Sequence, residues 1–194
     1  RLDMADDEGS ARIESPEYQA ILKKAFRNWS SFDSEEKRVK VRNILSNAAA
    51  TKLASDDVVK LFIEWLEVYS DFHFEVIGEI YRNGPIGRGA IWNNLKRPTV
   101  REDSAEADLY KLLVRDLSTG GIIRQQRETD YQGNFVRSRP NRQNNSGNTY
   151  KSAFDNGELY VLTDLGAQFV HYAMNELAPR LTFSEAENQA DSTS

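Results

Sequence analysis

Apolar residues recur along most of this chain at the i, i+3, i+4, i+7 spacing that lines one face of an α-helix. The clearest stretch is 108–127, DLYKLLVRDLSTGGIIRQQR, where Tyr110, Leu113, Val114 and Leu117 form one stripe. Thr119, Gly120 and Gly121 then stop the helix. Glycine takes up the left-handed conformation that closes a helix end at little steric cost, so the chain is expected to reverse and become extended at Ile122 and Ile123.

Upstream, Ser15-Pro16-Glu17 predicts a helix start, with Ser15 as cap, Pro16 in the first position and Glu17 at the positive dipole end. Tyr18, Ile21, Leu22, Ala25, Phe26 and Trp29 are expected on its one broad apolar face. Asp33 with Glu36 three residues on predicts a capping box. The helix it opens would bury Val39, Val41, Ile44, Leu45 and Ala48 and keep Lys37, Arg38, Lys40 and Arg42 in solvent. A third helix starts at Ser55-Asp56-Asp57, and apolar residues from Val58 to Tyr69 cover so much of it that it should be central. Residues 15–70 therefore read as a helical bundle. Residues 1–14 lack periodicity and read as a disordered lead-in.

From 71 the pattern changes. A strongly apolar helix over 71–82 leads to a short strand or turn at Pro85-Ile86, then a helix from 88 to about 95 burying Ile91, Trp92 and Leu95. Pro98 makes 96–103, KRPTVRED, a loop, and Ser104 caps the next helix. Strands are expected at 122–127 and 159–162. Thr163-Asp164 would cap a last helix carrying Phe169, Val170, Tyr172, Ala173 and Leu177, with Pro179 after it and an acidic tail over 182–194. Segment 128–158 is rich in Asn, Gly and Arg and includes the low-complexity run 144–148. Structureless loops beyond about 15 residues are usually functional or disordered, so a long, basic, mobile connection is expected. No linker composition marks residue 70, and the two halves are expected to pack together.

LLVRDLSTGGIIR (112–124) and LYVLTDLGAQFVHYA (159–173) resemble the third helix with its wing, and the last strand with its closing helix, of bacterial winged helix-turn-helix regulators of the MarR and PadR type. The resemblance implies a mainly α fold: an N-terminal helical bundle (15–70) packed on a winged helix-turn-helix domain (71–181) with a two-stranded wing. It also implies that the third helix enters the major groove of DNA while the wing reaches backbone or minor groove. EKRVKVRNILSNAA (36–49), followed by a helix pair and the winged-helix segment, is similar to an uncharacterised bacterial group that includes the abortive-infection alpha proteins. That likeness implies an association with phage defence.

Composition narrows the chemistry. The absence of cysteine among 194 residues excludes disulfides, thiolate nucleophiles and sulfur-ligated zinc. No apolar run reaches the roughly 18 residues that span a bilayer, and the start is too acidic for a signal peptide, so a cytoplasmic setting is expected. Net charge is −5, yet residues 71–151 hold 13 basic against 10 acidic residues. Candidate phosphate contacts are Arg88, Lys96, Arg97 and Arg101 around the second helix and its loop, and Lys111 and Arg115 on the third. Arg124, Arg127, Arg137, Arg139 and Arg142 would serve in the wing, with Gln143 and Asn145 able to reach base edges. Glu102, Asp103, Glu106 and Asp108 argue against this, because carboxylates at the start of a reading helix would repel phosphates.

Only two histidines are present, His73 and His171, each on an expected helix beside aromatic residues and with no second histidine at metal-ligand spacing. Gly84-Pro85-Ile86-Gly87-Arg88-Gly89 follows a helix and lacks the spacing of a phosphate loop, so it reads as a turn. No catalysis, metal or cofactor is expected. The expectation is a non-enzymatic DNA-binding or regulatory protein that dimerises through N-terminal helices at Trp29 and Phe32. The alternative is a protein-interaction module, associated with phage defence, that binds no nucleic acid.

Overall fold

The computed structural model describes residues 7–51, 53–127, 130–132 and 152–174. Among them are eight α-helices and a three-stranded antiparallel sheet, and no helix is long and apolar enough to cross a membrane. The chain divides into two compact units, Arg1–Phe74 with Ala167–Ser194, and Glu75–Gly166.

The first unit holds α1 (Asp7–Glu14), α2 (Pro16–Arg27), a 3-10 turn (Trp29–Ser31), α3 (Glu35–Ala50) and α4 (Asp56–Val68), with the first turn of α5 (Asp71–Asn83) and the last part of α8 (Asp164–Ala173). Serine begins three of these helices. The hydroxyls of Ser15, Ser34 and Ser55 accept from the amides of Tyr18, Lys37 and Val58, each meeting one of the donors a helix start leaves unpaired. The expected cap at Asp33 is thus displaced by one residue. Asp33 instead takes the Lys37 ammonium at 2.9 Å, and this hydrogen bond holds its carboxyl below the ordinary value.

Three further expectations change here. The lead-in, expected to be disordered, is helical from Asp7, and the Arg12 guanidinium forms an ion pair with Asp56 and donates to the Ala48 carbonyl at 3.4 Å. Lys37 and Lys40 are buried rather than solvated. The Lys40 ammonium lies 5.4 Å from the centre of the Phe74 ring, so the aliphatic stem is covered while the charge keeps a π-face. Phe26, expected on the apolar face, is 66% exposed, whereas Phe32 is completely buried within its own chain and is not an exposed contact for a second copy. Trp29 is half-buried and packs edge-on against Phe32 at 6.3 Å.

The core of this unit is aromatic. Phe62 and Trp65 of α4 meet Phe169 at 5.6 and 5.4 Å, and Phe62 meets Tyr172 at 5.7 Å. Tyr172 also donates or accepts at Thr51 Oγ1 (3.1 Å) and accepts from the Ala54 amide (3.0 Å), while Asn47 donates to its carbonyl (3.0 Å). The closing helix, expected to belong with the winged-helix half, therefore has its residues from Ala167 onward in the helical unit.

The second unit runs from Glu75 in α5 through β1 (Ile86–Gly87), α6 (Arg88–Asn94), α7 (Ala105–Thr119), β2 (Ile123–Gln125) and β3 (Leu159–Leu162) to Gly166. The strand order is β1-β3-β2, with Ile86 opposite Tyr160, Ile123 opposite Leu162 and Gln125 opposite Tyr160. At the turn after α7 it is Gly121, with φ +75°, that adopts the left-handed conformation. β2 is shorter than the expected 122–127, and in-register backbone bonds continue the ladder by one residue at each end, the Thr163 amide donating to the Ile122 carbonyl at 2.9 Å and the Gln126 amide to the Leu159 carbonyl at 2.7 Å.

The end of the long connection is packed, not structureless. Phe154 joins Trp92 (5.0 Å) and Tyr110 (5.9 Å) in an aromatic trio, and Ala153 is fully buried. Asn156 then supplies what Gly87 at the start of α6 lacks: its Oδ1 accepts from the Ala90 amide at 2.9 Å, and the Asp155 carbonyl accepts from the Arg88 amide at 3.1 Å. A Cβ on Gly89 would lie 2.5 Å from the Phe154 carbonyl oxygen, so glycine is what lets this segment approach. Asn156→Ala is expected to cost about 1 kcal/mol through loss of the cap, read as a fall of roughly 2–4 °C in Tm for a chain of this size.

Candidate nucleic-acid interface

Helix α7 sorts its residues into three faces. Ser104 caps it by accepting from the Ala107 amide, and Ala107, Tyr110, Leu113, Val114 and Leu117 are buried. Lys111, Arg115 and Ser118, at i, i+4 and i+7, share the flank that meets the strands. Leu109, Leu112 and Asp116 share the other, with the two leucines 53% and 41% exposed.

Between the basic flank and the strands lies a cleft of about 510 Å³. Lys111 and Arg115 enter it from α7, Arg124 from β2, and Arg127 from just beyond, over a base formed in part by Val114 and Ile123. Ser118, Gln125 and Tyr160 add polar groups, and none of the described residues lining the cleft carries a carboxylate.

Arg88 is its deepest cation. It is only 8% exposed, not the surface contact expected from the sequence, because the 154–156 segment folds over the start of α6. Its Nη2 lies 3.9 Å from carboxylate oxygens of both Asp155 and Glu158, too far for a hydrogen bond. Among the described residues its Nε and Nη2 have no hydrogen-bond partner. Glu158 meanwhile accepts from Gln125 at 2.8 Å. The Tyr110 hydroxyl donates to the Arg88 carbonyl at 2.8 Å, and burial pushes that phenol well above its ordinary value, so it remains a donor throughout the usual pH range.

Of the four carboxylates at the opening of α7, Glu102 and Asp103 are engaged, whereas Glu106 and Asp108 are exposed on the helix, with Asp108 3.9 Å from Lys111. Glu102 accepts from the Ser152 hydroxyl and from the Ala153 amide (2.9 Å), with Lys111 at 3.8 Å. Asp103 takes a two-pronged contact from Arg101, 2.8 Å at each oxygen. The Arg101 bond holds Asp103 below its ordinary value, and the Ser152 bond, then the Ala153 bond, do the same for Glu102. A carboxyl depressed in the folded state stabilises above its unfolded value and loses that contribution as pH falls through the depressed one. Acidification below about pH 4 should therefore release segment 152–153 from the start of α7. Amide exchange at Ala153 reports this, and in Glu102→Gln the rise in exchange on acidification should be absent.

Of the other cations expected at the interface, Arg97 pairs with Glu75 at 2.5 Å and Arg101 with Asp103, which ties both to carboxylates. Lys96 is exposed on a positive-φ backbone (53°) outside the cleft lining. Arg137, Arg139 and Arg142, with Gln143 and Asn145, lie outside the described residues, as do Leu177, Pro179 and the acidic tail.

No family model, curated protein or solved structure matches this chain.

Sequence reasoning gave Asp155, Asn156 and Glu158 no part in the interface, although they support or flank Arg88. The available signal was local: Phe154 is an aromatic residue closing a polar run, and Asp155-Asn156-Gly157 has the composition of a specific turn. The Asp155 carboxylate does accept from the Gly157 amide, at 2.7 Å.

Proposed function

We propose that Glu75–Gly166 is a winged helix-turn-helix module that binds duplex DNA, with α7 as the reading helix and β2–β3 as the base of the wing. The order helix, strand, helix, helix, strand, strand, with β3 between β1 and β2, supports the reading. The observation that carries it is the gathering of Lys111, Arg115, Arg124 and Arg127 on the side of α7 that meets the strands, while Glu102 and Asp103 are occupied by Ser152, Ala153 and Arg101. Cations so arranged neutralise backbone phosphates without reading sequence, and the exposed remainder of α7 is left to meet base edges. The protein acts as a non-enzymatic, DNA-binding regulator.

A second reading has its own support. Leu109 and Leu112 are exposed side by side on α7, and an apolar pair suits a protein partner better than a phosphate backbone. On that reading the unit is an interaction module.

Fluorescence anisotropy with a generic labelled duplex separates the two. DNA binding predicts dissociation constants of about 10⁻⁴–10⁻⁶ M near physiological salt, falling steeply in affinity between about 50 and 200 mM. Absence of binding at the lower salt leaves only the interaction module.

A further inference from the structure

We propose that a recess beside α6, lined by Trp92 and Phe154, binds a small, neutral, planar heterocycle with an amide edge, the chemistry of a free nucleobase. The recess shares no lining residue with the α7–strand cleft and does not depend on DNA binding.

The case starts from Phe154. Its ring stacks on Tyr110 at 5.9 Å and 15°, and Trp92 crosses it at 5.0 Å and 63°. The residue nonetheless stays half-buried, with part of its surface in the recess. Trp92 is buried, and its indole N–H is taken by the Pro98 carbonyl at 2.9 Å, so it offers the recess ring surface rather than a donor. Two crossed rings give a flat occupant one surface to stack on and another to abut edge-on.

Polar groups stand at the rim. The Ala90 amide donates to Asn156 Oδ1 at 2.9 Å, which fixes the carboxamide and leaves Nδ2 as a donor with no hydrogen-bond partner among the described residues. Nδ2 lies against Gly89, which also lines the recess, and a Cβ there would be 3.0 Å from it. Asn93 and Thr99, both exposed, add side chains that donate and accept.

Charge and size select the ligand. None of the described residues lining the recess is charged, so neither an anion nor a cation is matched there. A nucleobase edge sets acceptors beside donors, asparagine carboxamides meet such edges, and aromatic side chains stack on the base plane. The volume of about 220 Å³ is below the roughly 300–1,000 Å³ of drug-sized sites, which limits the occupant to one small ring system.

The test follows the Trp92 indole N–H by two-dimensional NMR of the full chain, its signal assigned with Trp92→Phe, during titration with uracil, adenine and dihydrouracil. Saturable shifts at Trp92 and at the 153–156 amides are expected for at least one base, with a dissociation constant at or below about 1 mM. Dihydrouracil keeps the amide edge but not the flat conjugated ring, and should bind at least about tenfold more weakly than the better base, stacking being worth roughly that much. Asn156→Asp keeps the oxygen that accepts from Ala90 and removes the donor, so binding should weaken at least about tenfold while Tm holds. Asn93→Ala/Thr99→Ala, at exposed positions, should weaken it about threefold or more, and carries the test if Asn156→Asp does not fold. The site is overturned if neither base shifts Trp92, or if dihydrouracil binds as tightly as the better base. It is also overturned if Asn156→Asp, or the double variant in its place, binds unchanged.

Discussion

Replacing Arg115, Arg124 and Arg127 together with alanine is expected to weaken binding of a generic duplex about a hundredfold near 0.15 M salt and to lower the slope of log K against log salt by about three. Each contact with a phosphate releases condensed counterions, so its worth depends on salt rather than on sequence, and the loss should be uniform across duplexes. All three side chains are exposed on the α7 and β2 side of the cleft. Exposed charges contribute about 0–1 kcal/mol each to folding, so the thermal melt should move little. Anisotropy titrations at several salt concentrations give both numbers. An unchanged slope would put the DNA contacts elsewhere.

Gly166→Ala is expected to be the most damaging small substitution in the second unit. An added Cβ would press into the Ile122 carbonyl, closer to its oxygen than real Cβ contacts come and 3.0 Å from its carbon. That oxygen cannot simply withdraw, since it accepts from the Thr163 amide (2.9 Å), while the Thr163 hydroxyl shares its one proton between the Gly121 (2.6 Å) and Ile122 (3.2 Å) carbonyls and accepts from the Gly166 amide (2.9 Å). The turn leaving α7 and the turn entering α8 are thus clasped through Thr163, and the clasp fixes where β2 departs. Overpacking against backbone costs about 1–3 kcal/mol, sometimes more, or roughly 2–4 °C in Tm per kcal/mol. Gly157→Ala is the control, because its Cβ would meet only the Asp155 side chain, at 3.1 Å. A melt in which both variants behave alike would show that the clasp yields.

Local signals carried much of the fold. Ser15 with Pro16, Ser55 and Ser104 cap the helices their positions predicted, the Tyr110–Leu117 stripe is buried, and the strand at 159–162 lies where its apolar run does. What escaped notice depends on distant partners. α1 rests on Arg12 meeting Asp56, which no periodicity in residues 1–14 can reveal. Phe169 and Tyr172 look like any closing helix until Phe62 and Trp65 are placed against them.

The interface divides the same way. Lys111, Arg115, Arg124 and Arg127 were legible as basic residues on adjoining elements. Arg88 was not legible as buried, because its cover comes from Phe154 to Asn156, far along the chain in a segment whose composition is that of a loop. The carboxylates before α7 looked repulsive. Arg101, two residues from Asp103, was a local hint to the contrary, but the Ser152 hydroxyl and Ala153 amide that occupy Glu102 lie fifty residues on.

Two-dimensional amide NMR of the isotope-labelled chain, titrated with a generic duplex at low salt, tests the proposed interface most directly. Perturbations should cluster at Lys111, Arg115, Ser118 and 123–127, with Leu109 and Leu112 responding less. Perturbations confined to the Leu109 and Leu112 flank, or none at all, would contradict a DNA-binding face between α7 and the strands.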